Sequence, residues 1–234
     1  MRPQRGTQEV ALELFRGLAT SYDRTADWAT LFQDRYWKAW VAKRFAAPDG
    51  GLVLDLGCGT LLLEERLRRH RCRFVGLDVT PEMAKLGWTK RLANVSLVIN
   101  GDAEALPFPD DTFEAAVGCY VPKYVSVARL ADELARVVKP GARVAFYDFA
   151  RPSGLSALFL EPYIQFGLRA VGFALRRARK GAAFAFEKLP RIIDVTSWDK
   201  EVVGAMEKRG FETLAANRLT AGAVFAYCGR KRPG

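Results

Sequence analysis

Histidine is almost absent from this 234-residue chain: His70 stands alone. Cysteine is scarce too, and Cys58, Cys72, Cys119 and Cys228 form no Cys-x-x-Cys pair. Without closely spaced thiolates and imidazoles no zinc site is expected, and lone cysteines point to a reducing cytosol. Asparagine and glutamine are rare beside abundant arginine, a bias found in proteins of thermophiles. No secretory signal is evident at the start of the chain. The one segment that resembles a membrane span, Leu155 to Leu175, is interrupted by Glu161, Pro162, Gln165 and Arg169. Charges at a bilayer centre are costly, so it is not expected to span.

Acid is also in deficit: 26 Asp and Glu face 36 Lys and Arg, a net charge of +10. Such a balance favours nucleic acid, an anionic membrane, or simply a solvated surface. The densest basic cluster, Arg176-Arg177-Ala178-Arg179-Lys180, closes the apolar stretch that begins at Leu155. Apolar length with a basic end is a membrane-surface pattern, and no RNA-reading motif accompanies it. A cytoplasmic protein with peripheral membrane contact through residues 155–180 is therefore expected, and nucleic acid is the weaker partner. The length suits one domain that buries roughly 75% of its unfolded surface.

What is present centres on Val53-Leu54-Asp55-Leu56-Gly57-Cys58-Gly59-Thr60. An apolar strand ends in an acidic Gly-x-Gly turn, and a helical pattern over Leu61 to Arg69 starts at once. Glycines there permit close approach of a ligand and positive φ angles. The next apolar run, Phe74 to Leu77, ends in Asp78, an acid placed to accept both hydroxyls of a ribose. A dinucleotide site keeps a third glycine where the helix begins; here that position is Leu62. Asp55 would also repel a phosphate and favour a cation or an amino group. S-adenosylmethionine meets both conditions, with a ribose, a sulfonium, an ammonium and no phosphate. Asp102, in Gly101-Asp102-Ala103-Glu104, follows the strand Val95 to Ile99 and suits the adenine amino group. Arg136 to Gly141 reads as a helix end with a Pro-Gly stop before the strand Ala142 to Phe146.

With these landmarks the chain resembles class I S-adenosylmethionine-dependent methyltransferases, and more narrowly the ubiquinone/menaquinone biosynthesis C-methyltransferases. The likeness includes Phe15 to Asp23 with Trp37 downstream, Glu187-Lys188-Leu189-Pro190, Met206 to Gly210-Phe211, and Leu219 to Gly222. It implies a seven-stranded, mostly parallel Rossmann-like α/β sheet in the order third, second, first, fourth, fifth, seventh, sixth. It also implies a cofactor site of Tyr22, Asp55, Gly57, Cys58, Gly59, Thr60, Asp78, Val79, Met83, Asp102, Ala103 and Gly118. One departure stands out. Where the quinone enzymes resembled carry Phe-Gly-Leu-Arg-Asn, this chain reads Cys119-Tyr120-Val121-Pro122-Lys123.

Along the chain, residues 8–47 read as two helices, the second aromatic-rich (Trp28, Phe32, Tyr36, Trp37, Trp40), within an N-terminal cap over 1–47. Strand–helix alternation from 52 to 149 forces parallel pairing with right-handed crossovers, with strands near 52–56, 73–77, 95–99, 113–118 and 141–148. A helical insertion over 151–190 precedes a helix near 198–209, N-capped by Thr196 or Ser197. Two antiparallel strands follow near 211–217 and 222–229. Methyl transfer depends first on aligning the reactants, and a carbon acceptor also needs its phenol ionised. At the carboxyl edge, Tyr120 and Asp148 are the candidate bases, and Lys123 and Arg151 the candidate oxyanion partners. His70 falls at the opposite edge. Asp78→Ala is expected to weaken cofactor binding without moving the stability of the free protein. The acceptor is read as apolar or lipid-tailed, a demethylquinone being the example the resemblance implies. A small soluble amine, phenol or thiol, a nucleic-acid substrate, and a non-catalytic cofactor binder remain as alternatives.

Overall fold

β1 (Leu52–Leu56) is buried along almost its whole length, as a strand covered on both faces must be. Its side chains alternate between two cores. Leu54 and Leu56 enter one with helix α6 (Val127–Val137) and helix α10 (Trp198–Glu207); Val53 enters the other with helix α3 (Asp34–Ala42) and helix α4 (Leu62–Arg66). The computed structural model describes residues 5–19, 22–152, 155, 157–175 and 180–233. Its seven strands also include β2 (Arg73–Asp78), β3 (Val95–Asn100), β4 (Phe113–Cys119), β5 (Val138–Phe149), β6 (Phe211–Leu219) and β7 (Val224–Lys231). They run in the order β3-β2-β1-β4-β5-β7-β6, the order the resemblance implied. Strands β1 to β5 pair in parallel, while β7 is antiparallel to both β5 and β6.

Helix α6 shows why the crossovers stick. Val127, Leu130, Ala131, Leu134 and Val137 recur at helical spacing and are all buried, so one apolar stripe closes on the sheet. A third, smaller core lies elsewhere. Leu14 and Leu18 of helix α1 (Arg5–Leu18) pack with Tyr124, Ile164, Leu168, Phe186, Ile192 and Ile193. The chain's start and its late insertion thus share one apolar body.

Several boundaries differ from the sequence reading. The N-terminal segment forms three helices, because helix α2 (Tyr22–Ala29) and α3 are split at Leu31 and Phe32, both at positive φ (49° and 61°). Thr30 Oγ1 bonds back to Ala26 O at 2.8 Å and closes α2. The aromatic stripe divides: Trp37 and Trp40 are buried, Phe32 and Tyr36 are exposed, and the Trp28 side chain is outside the described set. Helix α4 stops at Arg66, short of the expected Arg69. Pro140-Gly141 is no stop between helix and strand. Helix α6 passes straight into β5, and the pair lies in a bulge between Phe113↔Val138 and Ala115↔Arg143, with Gly141 at φ 83°. The insertion runs further than expected, through helix α7 (Ala157–Pro162), a π-helical turn (Tyr163–Gly167), helix α8 (Leu168–Leu175) and helix α9 (Lys180–Val195). Ser197 precedes α10, but its hydroxyl bonds the Glu201 carboxylate instead of capping the backbone.

Candidate active site

The Gly-x-Gly turn hangs from β2 by main chain alone. Gly57 N–H and Cys58 N–H both donate to Leu77 O, at 2.7 and 3.1 Å. Gly57 (φ +63°) has no room for a side chain, since a Cβ would lie 2.3 Å from Val121 Cγ2. At Gly59 (φ +54°) a Cβ would meet Met83 Cε at 3.2 Å. The left-handed conformation continues at Leu61 (φ 62°, ψ 35°), which precedes α4 and is buried. Its side chain sits where helix α5 (Pro81–Thr89) and β2 carry glycines. A Cβ on Gly87 would be 3.0 Å from Leu61 Cγ, and one on Gly76 would be 3.5 Å from Leu61 Cδ2.

Asp78 ties the two strand tips together. Its Oδ2 accepts from Gly59 N–H and its Oδ1 from Thr80 N–H, both at 2.8 Å. Burial pushes its carboxyl above the ordinary value, against the pull of those two donors. The expectation that Asp78→Ala leaves the free protein's stability alone is corrected by these bonds, because alanine would orphan two buried N–H groups.

Around this turn lies a cavity of about 640 Å³. Of the expected cofactor residues, Tyr22, Gly57, Gly59, Asp78, Val79, Met83, Asp102 and Ala103 line it. Asp55, Cys58, Thr60 and Gly118 do not. Asp55 shares the Val53 face of β1 and lies beneath α4 against Glu64, where burial and Glu64 push its carboxyl far up. Glu64 is raised to about 7, chiefly by burial. Among the described residues, Asp55 Oδ1 and both Glu64 oxygens find no donor, so a proton shared by the two carboxyls is their remaining bond. Cys58 turns its thiol toward Gly76, whose Cβ would be 2.7 Å from the sulfur. Burial holds that thiol protonated, as fits a turn residue rather than a nucleophile. Thr60 donates to Asp23 Oδ1 at 2.5 Å, and Asp23 also pairs with Lys90 at 3.0 Å, so α2 is latched to the cofactor turn. Gly118 lies within β4, against Leu56 and Phe146.

The sequence reading missed Phe15, Leu77, Thr80, Gly101, Cys119, Val121, Tyr124 and Val125 as lining residues. Phe15 and Tyr124 meet edge to face at 5.7 Å although 109 positions separate them, a proximity no local pattern encodes. Among the described residues the lining offers two carboxylates, Asp78 and Asp102, and no lysine or arginine. That donor set, with a glycine cradle a Cβ would fill, fits a ribose-bearing cation and disfavours a diphosphate.

A second cavity of about 580 Å³ adjoins the first and shares Phe15, Tyr22, Tyr120 and Tyr124 with it. Among the described residues its walls are apolar save for hydroxyls and one ammonium, that of Lys123. Lys123 Nζ lies 2.5 Å from Asp148 Oδ1 and 4.2 Å from the centre of the Tyr124 ring, with Tyr120 and Phe149 at 5.2 and 5.5 Å. Asp148 also accepts the N–H groups of Lys123 (3.0 Å) and Phe149 (2.7 Å). Burial draws the Lys123 ammonium below its ordinary value, and Asp148 opposes that. Asp148 itself lines none of the cavities described, since Lys123 covers it. Arg151 is paired outward with Glu161.

Tyr120 lines both cavities, at φ 63°, but its hydroxyl donates to Asp34 Oδ1 at 2.8 Å. Burial and the Asp34 charge push its phenol far up, which is a correction to its candidacy as a base. Asp34 and Lys38, one helical turn apart on α3, were missed because such pairs usually face solvent. Here both are buried: Lys38 Nζ reaches Asp34 at 2.5 Å and Tyr147 donates to Asp34 at 2.8 Å. Burial alone would raise Asp34, but Lys38 and the two phenols hold it below the usual range. His70 is exposed beyond α4, its ring 5.7 Å from that of Phe45.

Known proteins carry the same layout. A demethylmenaquinone methyltransferase of Mycobacterium tuberculosis is 31% identical over 221 residues, covering 93% of this chain and 91% of its own. One from Tropheryma whipplei is 29% identical over 225 residues, covering 94% and 91%. Among solved structures, a putative methyltransferase of Haloferax volcanii in complex with the Trm112 activator superposes with TM-score 0.66, at 18% identity over 93% of this chain and 97% of that one. The geranyl diphosphate C-methyltransferase of Streptomyces coelicolor follows at 0.60, with 13% identity and coverage of 85% and 80%. The profile of the ubiE/COQ5 methyltransferase family matches residues 4–231. A match of that extent, over a cradle shaped for a ribose-bearing cation, places this S-adenosylmethionine-dependent methyltransferase in the ubiE/COQ5 methyltransferase family.

Proposed function

We propose that the acceptor is a demethylated quinol with an apolar tail, methylated on a ring carbon. The observation that carries this reading is the second cavity, an apolar chamber beside the cofactor cavity with a single ammonium in its wall. When bound, S-adenosylmethionine supplies an electrophilic methyl group on a sulfonium. Asp78 would hold its ribose, Asp102 its adenine amino group, and the Gly57–Gly59 turn its amino-acid end. The chain's own part in catalysis is to orient and to exclude water. Phe15, Tyr22, Tyr120 and Tyr124 line both cavities and would shield the reacting groups where the two meet. A ring carbon becomes nucleophilic when the neighbouring hydroxyl is ionised, and Lys123 is the group able to stabilise that oxyanion in a dry wall. Asp148 keeps Lys123 charged and fixed. Lys123 thus takes the place that the Arg-Asn pair holds in the quinone enzymes resembled.

The insertion supports delivery from a membrane surface. Leu155 is 84% exposed and Phe159 79%, and Leu158, Phe166 and Phe173 are exposed as well. Isolated exposed apolar residues are ordinary, but a series of them along one segment marks an interaction surface. Among the described residues no helix is long and apolar enough to cross a membrane. The basic cluster at Arg176, Arg177 and Arg179 lies outside the described residues, as does the side chain of Lys180.

The direct test is to supply S-adenosylmethionine and a dithionite-reduced demethylnaphthoquinol and look by mass spectrometry for one added methyl on carbon. Methylation only of small soluble amines, phenols or thiols would overturn the quinol reading. For the surface, co-sedimentation with anionic liposomes at low salt should retain wild type. It should lose most of a variant with Gln at 176, 177, 179 and 180, each basic side chain being worth about 1 kcal/mol near such a membrane. Equal pelleting of the two proteins, or none, removes membrane delivery.

A further inference from the structure

A third cavity of about 820 Å³ lies beyond the second and shares Thr30, Phe149 and Leu189 with it. We propose that the second and third cavities form one passage, and that the outer chamber is a binding site for the apolar tail of the acceptor. This rests on the quinol reading above and adds where the tail goes and where it leaves.

Four features favour a chain-like apolar occupant. The three cavities follow one another through shared walls, cofactor to second to outer, so an object bound by its head in the second has its continuation in the third. The outer lining is hydrocarbon in the main, with Leu160, Ile164, Leu168 and Ile193 from the insertion facing Trp37. Of the three cavities described, the outer one has the largest volume. The far end opens toward the exposed apolar side: Leu31, 63% exposed, and Tyr163, 40% exposed, line the chamber, and Leu158 and Phe159 precede Leu160 on α7.

The backbone is shaped for this opening. Leu31 and Thr220, both in the lining, adopt positive φ (49° and 47°), an uncommon conformation for such residues that is typically maintained where a site requires it. Trp37 Nε1 donates to Thr220 Oγ1 at 2.8 Å and pins one wall to α3. Elsewhere in the lining the π-helical turn brings Tyr163 and Ile164, adjacent in sequence, to the same chamber. Single π turns within helices often mark functional sites. Gly167 lets the Tyr163 ring lie flat across it, since a Cβ there would be 2.8 Å from Tyr163 Cδ2.

The chamber opens outward, so it should grip the first units of a tail and leave the remainder in the bilayer. Activity should therefore rise when a short tail is added to the quinol and level off as the tail lengthens further. The experiment uses two blocking variants from separate parts of the lining, Leu160→Trp and Ala223→Leu, each checked for S-adenosylhomocysteine affinity equal to wild type. Two probes are applied: all-trans-farnesol as a tail without a head, by isothermal titration, and demethylnaphthoquinols with and without a prenyl tail, by steady-state kinetics. The expected result is farnesol binding to wild type that weakens at least about tenfold in either variant, the scale of losing a methylene-sized fit in an apolar pocket. KM for the tailed quinol should rise by a similar factor while the tailless quinol is unchanged. If farnesol does not bind wild type, or if wild type gives tailed and tailless quinols the same kcat/KM, the passage is not a tail site. If no quinol is methylated, the acceptor reading fails on its own, and farnesol titration of the wild type still decides the chamber.

Discussion

The floor of the cofactor cavity is mostly main chain, and the walls of the neighbouring chamber are mostly side chain. On the first side, Gly57, Cys58 and Gly59 donate to β2 through backbone N–H groups, and the acid that receives one of them ends that strand. The turn and the acid that anchors it, Gly57 to Asp78, lie in one contiguous stretch of sequence. On the second side, Leu14, Lys123, Phe149 and Phe186 come from four elements spread across the chain and meet only through packing. The lesson is a division of labour. A backbone-built site tolerates almost no substitution at its turn but is indifferent to what covers it, whereas a side-chain-built chamber can be recut residue by residue without disturbing the cofactor.

The largest break in this comparison should come at Lys123. Lys123→Met leaves Asp148 as a buried charge without its partner, a loss of about 3–5 kcal/mol in stability. Adding Asp148→Asn removes the orphaned charge and should recover most of that loss in denaturant titration. Turnover should stay at least about a hundredfold below wild type in the double variant, with S-adenosylhomocysteine affinity unchanged. Recovery of activity along with stability would make the ion pair purely structural.

Asp78→Ala should break the other side, and less cleanly. Losing charge-assisted bonds of about 1.5–3 kcal/mol each weakens cofactor binding by at least about tenfold in isothermal titration. Two orphaned N–H groups lower the melting temperature of the free protein too, by several degrees at about 2–4 °C per kcal/mol for a chain of this size. An unchanged affinity would remove Asp78 from the site.

The smallest effect is one of pH. Glu64 stands at about 7 in the folded protein, through burial beside Asp55, above its unfolded value of about 4.3. The folded state therefore holds the proton more tightly. The resulting stabilisation is complete at acid pH and is lost as pH rises toward and through 7, at up to about 1.4 kcal/mol per pH unit. Glu64→Gln should flatten that slope in chemical denaturation between pH 5 and 8. A slope equal to wild type would place the titration elsewhere.

The same contrast explains what could be read from sequence. The strands β1 to β4, the Gly-x-Gly turn and Asp78 announce themselves by local pattern, and eight of the twelve expected cofactor residues line the cavity. Asp55 was misread because strand alternation turns it away from the turn and into the face below α4. The bulge at Pro140-Gly141 imitates a helix stop, since the same two residues serve both purposes. The split at Leu31 and Phe32 left no mark, because apolar residues seldom take positive φ. The protonated state of Tyr120 depends on Asp34, 86 positions away, and the two outer chambers on contacts between the N-terminal helices and the insertion. Periodicity carries none of this.

Leu61 limits what its neighbours can become. Its isobutyl group fills space that Gly76 and Gly87 leave open, and its left-handed backbone is one that glycine would adopt at no steric cost. A lineage that replaced Leu61 by glycine first would inherit a void between β2 and α5. One that first gave position 87 a side chain would drive it into Leu61 Cγ and into Gly59 O, 2.7 Å from the new Cβ. The constraint is shared: a side chain at 87 is also blocked by Gly59 O, and one at 76 by Cys58 Sγ, 2.7 Å from the new Cβ. A side chain at 87 should therefore lower stability even beside Leu61→Gly, because Gly59 O remains in its way.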